Sequence, residues 1–137
     1  MNGLILDTHV WYWINDQSKP LSSAAVDIVQ SAQSANKIYI AAISLWEIAM
    51  MTKKEKITLR LPLTEWFQVA LSIPGVNLSP LTPEVVIESM NLPGGFHGDP
   101  ADRLIVATAR VENLTLVTCD RKILEYAALG FVKAITI

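Results

Sequence analysis

Leu114-Thr115-Leu116-Val117-Thr118-Cys119-Asp120 is the stretch on which the fold turns. From Leu114 to Cys119 every position is apolar or β-branched, the composition of a strand buried on both faces. Asp120 then ends the run with a charge. Just upstream, Asp99-Pro100 reads as N-cap and N1 proline, opening a helix from Pro100 to Val111 that is apolar on most sides. Just downstream, Arg121 to Leu129 has the pattern of another helix. A doubly buried strand between two helices belongs inside a parallel sheet covered on both sides.

The same alternation continues outward from this unit. Gly3 to Leu6 is an apolar run ended by Asp7, and His9 to Ile14 is helix-like and rich in aromatics. Leu21-Ser22-Ser23 opens a helix through about Ser34, with Ala24, Ala25, Ile28, Val29 and Ala32 on one side. Lys37 to Ile43 is a second strand, after which Ser44 starts a helix to about Lys54. Ile57 to Leu61 is a short extended stretch, and Pro62 leads into a helix from Thr64 to Leu71 that Pro74-Gly75 stops. Val76 to Ser79 is a further strand. Thr82-Pro83-Glu84 caps a helix to about Met90, a Gly-rich loop spans 93–98, and Phe131 to Ile137 is the final strand. The expected architecture is α/β, a three-layer α/β/α sandwich on a central parallel sheet of about five strands. Right-handed crossovers place all strand carboxyl ends on one edge, where ligands of such sheets bind.

With 137 residues, the chain is expected to form one domain over 1–137, since two cores of ordinary size need more length. A hydrophobic content of 51% excludes disorder, yet no apolar run reaches the roughly 18 residues of a membrane span. The start lacks a basic segment before Asp7, unlike a signal peptide, and a cytoplasmic location is expected. One cysteine, Cys119, excludes an internal disulfide and a multi-cysteine zinc site; at the end of a buried strand it is expected in the core.

The net charge of −2 argues against a nucleic-acid partner only if the acids are scattered. They are not scattered. Asp7 and Asp120 each end a strand, Glu47 follows the second strand, and Asp99 and Asp102 open the helix before the Leu114 strand. Setting these five acids aside moves the remainder of the chain from −2 to +3. Each acid alone has an ordinary explanation. Ser44-Leu45-Trp46-Glu47 reads as a capping box, Asp99 as an N-cap, Asp102 as a first-turn acid, and Asp7 and Asp120 as turn residues. Together they bring carboxylates from separate segments to the one edge where a ligand binds.

Two such charges roughly 5 Å apart repel by about 3 kcal/mol at an effective dielectric near 20. A hard dication relieves this, and an all-oxygen set selects Mg²⁺, with Mn²⁺ a substitute, over zinc. That combination suits hydrolysis of a phosphodiester, where the cation polarises the phosphate and eases ionisation of the attacking water. A metal-dependent nuclease is the leading reading.

Four segments also carry a resemblance. Ile5-Leu6-Asp7-Thr8-His9, Ile43-Ser44-Leu45-Trp46-Glu47-Ile48, Asp99-Pro100-Ala101-Asp102-Arg103-Leu104-Ile105-Val106-Ala107-Thr108-Ala109 and Leu116-Val117-Thr118-Cys119-Asp120 resemble the acidic motifs of PIN-domain ribonucleases. The group they are most similar to is the VapC-like toxins of toxin–antitoxin pairs. This resemblance implies a Mg²⁺-dependent endoribonuclease that hydrolyses RNA, forms homodimers and is inhibited by a small antitoxin protein. It implies Asp7, Glu47, Asp102 and Asp120 as catalytic acids. Asp7 and Asp102 would be the most direct metal ligands, with Glu47, Asp99 and Asp120 the remaining candidates. Thr118 would support Asp7 or Asp120 through its hydroxyl.

Substrate contacts are expected from Thr8, His97, Arg103 and Lys53, the last within the basic group Lys53, Lys54, Lys56 and Arg60. Aromatic helices around Trp11, Trp13 and Trp46 are expected to form a groove for an antitoxin helix. His9 is expected to pack within its helix, with contact to a phosphate as the alternative. A haloacid-dehalogenase-like phosphatase would need a second acid where His9 stands, and a receiver domain an acid near Asn77-Leu78-Ser79. The alternative outside enzymes is a non-catalytic RNA- or protein-binding module on a nuclease-like fold.

Overall fold

The computed structural model describes residues 2–137. Its elements run β1 (Leu4–Leu6), α1 (Thr8–Asp16), α2 (Ser23–Ser34), β2 (Ile38–Ala41), α3 (Ala42–Lys53) and α4 (Leu63–Ser72). They continue with β3 (Val76–Ser79), α5 (Pro83–Met90), α6 (Pro100–Val111), β4 (Thr115–Val117), α7 (Arg121–Ala128) and β5 (Ala134–Ile135). All pairings are parallel, in the order β3-β2-β1-β4-β5. The chain therefore builds outward from β1 through β2 to β3, then crosses back to add β4 and β5 on the other side. The reversal between β1 and β4 opens a crevice at their carboxyl ends.

Side-chain alternation along the strands divides the core into two apolar layers. Leu4, Leu6 and Val117 point to one face, where Val10, Trp11, Ile48 and Trp66 from α1, α3 and α4 cover them. Ile5 and Leu116 point to the other, beneath Val85, Ile105 and Ile123 from α5, α6 and α7. Each such fully buried side chain contributes about 1.5–3 kcal/mol through the apolar area it removes from water. Helix α6 buries five consecutive residues, Ile105 to Ala109, which accounts for its nearly all-round apolar sequence. Gly3 enters β1 at φ +128°, and a Cβ there would stand 2.8 Å from the Lys37 carbonyl oxygen, so only glycine lets the strands approach.

Several boundaries differ from the sequence expectation. The second strand stops at Ala41, because Ala42 already begins α3. Ser44 consequently lies inside the first turn and caps nothing; the N-cap position is Ala41, with no side-chain bond. The Ile57–Leu61 stretch forms no strand. It is tied instead to α1, by Tyr12 Oη donating to the Thr58 carbonyl and the Arg60 amide donating to buried Asp16. Indole Nε1 of Trp66 donates to the other Asp16 oxygen at 2.8 Å, so one acid anchors both this segment and α4. β4 ends at Val117, and Cys119, beyond the ladder, is solvent-exposed rather than core. The last strand is reduced to Ala134–Ile135.

Candidate active site

The crevice between the β1 and β4 ends is where the acids meet. Asp7 directly follows β1 and is only 7% exposed. Its Oδ1 accepts from the Thr8 amide at 2.8 Å, and its Oδ2 accepts from the Thr118 hydroxyl at 2.6 Å. Thr118 is fully buried, and its Oγ1 also accepts from the Asp120 amide at 3.0 Å. One hydroxyl thus locks the chain after β4 to the acid after β1. Asp120 caps α7, its Oδ1 accepting from the Ile123 amide at 3.2 Å.

Glu47 arrives from the second turn of α3. Its Oε1 accepts from Thr8 Oγ1 at 2.5 Å, and Thr8 Oγ1 lies 2.8 Å from Ser44 Oγ. Because the Thr8 hydroxyl has one hydrogen and gives it to Glu47, Ser44 is the donor in the second bond. Ser44 and Glu47 share a helix face at i, i+3, which brings both to Thr8. Their S-x-x-E pattern thus aims a carboxylate from within the helix rather than capping its start. Asp99 caps α6 by accepting from the Asp102 amide at 2.8 Å, and Asp102 stands in that helix's first turn.

Asp7, Glu47, Asp99, Asp102 and Asp120 line one cavity of about 330 Å³, together with His9, Val10, Trp13 and Cys119. Burial raises the Asp102 pKa to about 7, and the charges of Asp99, Asp7, Asp120 and Glu47 add to the effect. Burial also raises Glu47, against the Thr8 hydroxyl bond that holds it down, and Asp7 and Asp99 push it further up. Asp7 is raised by burial and by Asp120, opposed by the Thr118 hydroxyl, the Thr8 amide and His9. Among the described residues no lysine or arginine forms an ion pair with any of these acids. An uncompensated carboxylate cluster of this kind suits a hard dication. No three such groups among the described residues are already gathered tightly enough to hold a metal by protein atoms alone. That is compatible with Mg²⁺, which keeps several waters and takes one or two carboxylates directly.

The other expected contacts lie elsewhere. Thr8 is buried and engaged with Glu47 and Ser44, so it positions an acid rather than meeting a substrate. Arg103 spends its guanidinium on carbonyls, Nε on Ser89 at 3.0 Å and Nη1 on Phe96 at 2.7 Å. It clamps the 91–99 loop to α5. His97 lines a separate cavity beside α7, with Lys122 and Tyr126. Lys53 sits at the far end of α3, exposed to solvent. Trp11 is buried against Trp66 and Phe67 and lines no groove, whereas Trp46 is 58% exposed. His9 is exposed at the cavity rather than packed in its helix, a position that helical spacing from Asp7 alone did not reveal.

Two substitutions test these supports. Thr8→Val removes the donor that holds Glu47 and is expected to lower metal affinity or activity by about 10–100-fold, measured by Mg²⁺ titration of the turnover rate. Arg103→Met is expected to destabilise the protein by about 2 kcal/mol, read as a lower urea midpoint at constant slope, because two carbonyls lose charge-assisted bonds.

The chain is 39% identical over 123 residues to Ribonuclease VapC22 of Mycobacterium tuberculosis (strain ATCC 25618 / H37Rv), covering 90% of this chain and 91% of that one. Its fold is similar to that in the DNA-bound VapBC structure from Salmonella typhimurium, at TM-score 0.68 and 18% identity, over 99% of this chain and 98% of that one. It is likewise similar to FitAcB from Neisseria gonorrhoeae, at TM-score 0.63 and 22% identity, over 96% of each chain. Residues 4–129 match the PIN domain, and that span contains every acid of the cavity and both edges of the crevice. The chain belongs to the PIN domain family.

Proposed function

We propose that this protein is a metal-dependent endoribonuclease, the toxin of a toxin–antitoxin pair, working in the cytoplasm as a single catalytic domain. The observation that supports this most is the convergence of carboxylates from four separate chain segments on one cavity at the sheet's switch point. The 39% identical relative is named a ribonuclease, which favours RNA as the substrate class. Asp7 and Asp102 would hold Mg²⁺, or Mn²⁺ in its place, with Glu47 and Asp120 completing the set and Asp99 at its margin. When bound, the cation would polarise the scissile phosphate and stabilise charge on the leaving oxygen.

The chain's own residues supply the rest. Thr118 and the Thr8 amide hold Asp7 in one orientation, so the carboxylate does not reorganise as charge develops. Glu47, kept near by the Ser44–Thr8 relay, would accept a proton from an attacking water. Two protein partners complete the proposal. A small antitoxin would occupy the acidic cavity with a basic side chain, in keeping with solved relatives described as toxin–antitoxin complexes. A second copy would cover the exposed Val86, Ile87 and Met90 on α5.

Purified protein incubated with total RNA is expected to cleave it in Mg²⁺ and to stop in EDTA. Intact RNA in both, with RNA retained on the protein, would instead favour the non-catalytic binding module.

A further inference from the structure

We infer that His9 and Trp13 form a stacking shelf for an unpaired nucleobase next to the scissile phosphate. The inference rests on the ribonuclease reading above and names how that site holds its substrate. Five acids line the cavity, and a single dication leaves them net negative towards an anionic backbone. Affinity for RNA has to arise from groups at the rim.

His9 and Trp13, one turn apart on α1, are the aromatic side chains that line the cavity beside those acids. Their ring centroids are 5.8 Å apart at an interplanar angle of 47°, and His9 is exposed to solvent. Lys19 Nζ lies 4.4 Å from the Trp13 ring centroid, the one cation placed on this aromatic pair among the described residues. Trp13 is half-buried against the apolar layer under α1. The part of it that lines the cavity, together with the exposed His9 ring, offers aromatic surface to a base, while Lys19 offers a positive charge to the neighbouring phosphate, beside an acid wall that offers neither. The structural alternative is that these rings only pack α1. It accounts for Trp11, which is buried between Trp66 and Phe67, but not for an exposed imidazole open to the cavity. Stacking requires a base free of its duplex, so the shelf selects single-stranded RNA with little preference among bases.

The test uses an oligoribonucleotide spanning a cleavage site mapped in total RNA, with one abasic residue moved along it. For the wild type, one abasic position flanking the cut is expected to raise KM by about tenfold, within the range of a lost base–aromatic stack. His9→Ala and Trp13→Ala are each expected to raise KM for the intact oligonucleotide by a similar factor, more than they lower kcat. They are also expected to be insensitive to the abasic residue at that position. Trp13→Phe keeps a ring and is expected to restore most of the affinity, which separates lost stacking from a misfolded helix. A fully duplexed substrate is expected to be a poor one. If the wild type cleaves but no abasic position couples to His9 or Trp13, the shelf is wrong and the nuclease stands. If the wild type cleaves nothing in Mg²⁺, the nuclease reading has failed and the shelf with it.

Discussion

Asp7→Asn and Asp102→Asn are each expected to reduce Mg²⁺-dependent RNA cleavage by at least about a hundredfold, more than a supporting residue such as Thr8 would cost. Both changes are close to isosteric, and the structure indicates why the fold should survive them. An asparagine at position 7 keeps one acceptor for the Thr8 amide and presents its own amide to the Thr118 hydroxyl, which can turn to accept. The Asp102 carboxylate accepts no hydrogen bond among the described residues, so its loss orphans no donor. Asp99→Asn is the internal control. Asparagine is as good an N-cap as aspartate, so the bond from the Asp102 amide persists and the loss is expected to stay below about tenfold. Rates measured with circular dichroism on the same samples would decide the matter. Equal losses at Asp99 and Asp102 would mean that Asp99 holds the metal in place of Asp102, or that both do.

In EDTA at pH 8, Asp102→Asn is expected to be more stable than the wild type, by about 1 kcal/mol after allowance for solvent screening, or about 4 °C in Tm. Burial and four neighbouring acids raise the Asp102 pKa from its ordinary 3.8 to about 7. Between those values the folded protein binds a proton that the unfolded chain releases, so stability falls as pH rises from about 4 to about 7. Above pH 7 the folded site is ionised and the full penalty is present; below about pH 4 both states are protonated and it vanishes. The advantage of Asp102→Asn should therefore open across that window and then level off. An opposing term is the first-turn position of Asp102, where a negative charge favours the helix by about 0.3–1 kcal/mol. Because this carboxylate accepts no bond and faces like charges, repulsion and burial are expected to win. Mg²⁺ at tenfold its Kd should stabilise the wild type by about 1.4 kcal/mol and do little for Asp102→Asn. A variant that melts below the wild type in EDTA, with no Mg²⁺ effect on either, would mean that the acids serve only their helices.

Much of this architecture was legible because local chemistry and tertiary structure ask for the same residues. Doubly apolar strands specify a covered parallel sheet, and Thr82-Pro83 and Asp99-Pro100 each open the helix expected of them, with the side chain of each cap accepting an amide three residues on. The edge on which the acids lie follows from crossover handedness, so the sequence alone groups Asp7, Glu47, Asp102 and Asp120, which line one cavity.

Where one side chain can satisfy two geometries, sequence could not choose between them. Ser44-x-x-Glu47 is a capping box if Ser44 is the N-cap, and a relay to Thr8 if the N-cap lies three residues earlier, at Ala41; 36 residues of chain separate Thr8 from Ser44. Arg103, beside an acid, has equal local claim to a carboxylate, a phosphate or a carbonyl, and only the packing of α5 against α6 and the path of the 91–99 loop bring the Ser89 and Phe96 carbonyls to it. Cys119 and His9 are decided in the same way. A strand that ends two residues sooner turns the cysteine outward, and helix α1, set against the crevice, opens the imidazole to the cavity. Pattern and propensity act over one or two turns of chain and determined the sheet, its covering helices and the edge that bears the charge. Hydrogen-bond partners and exposure at the site depend on contacts between segments far apart in the chain, and those only the packed structure decided.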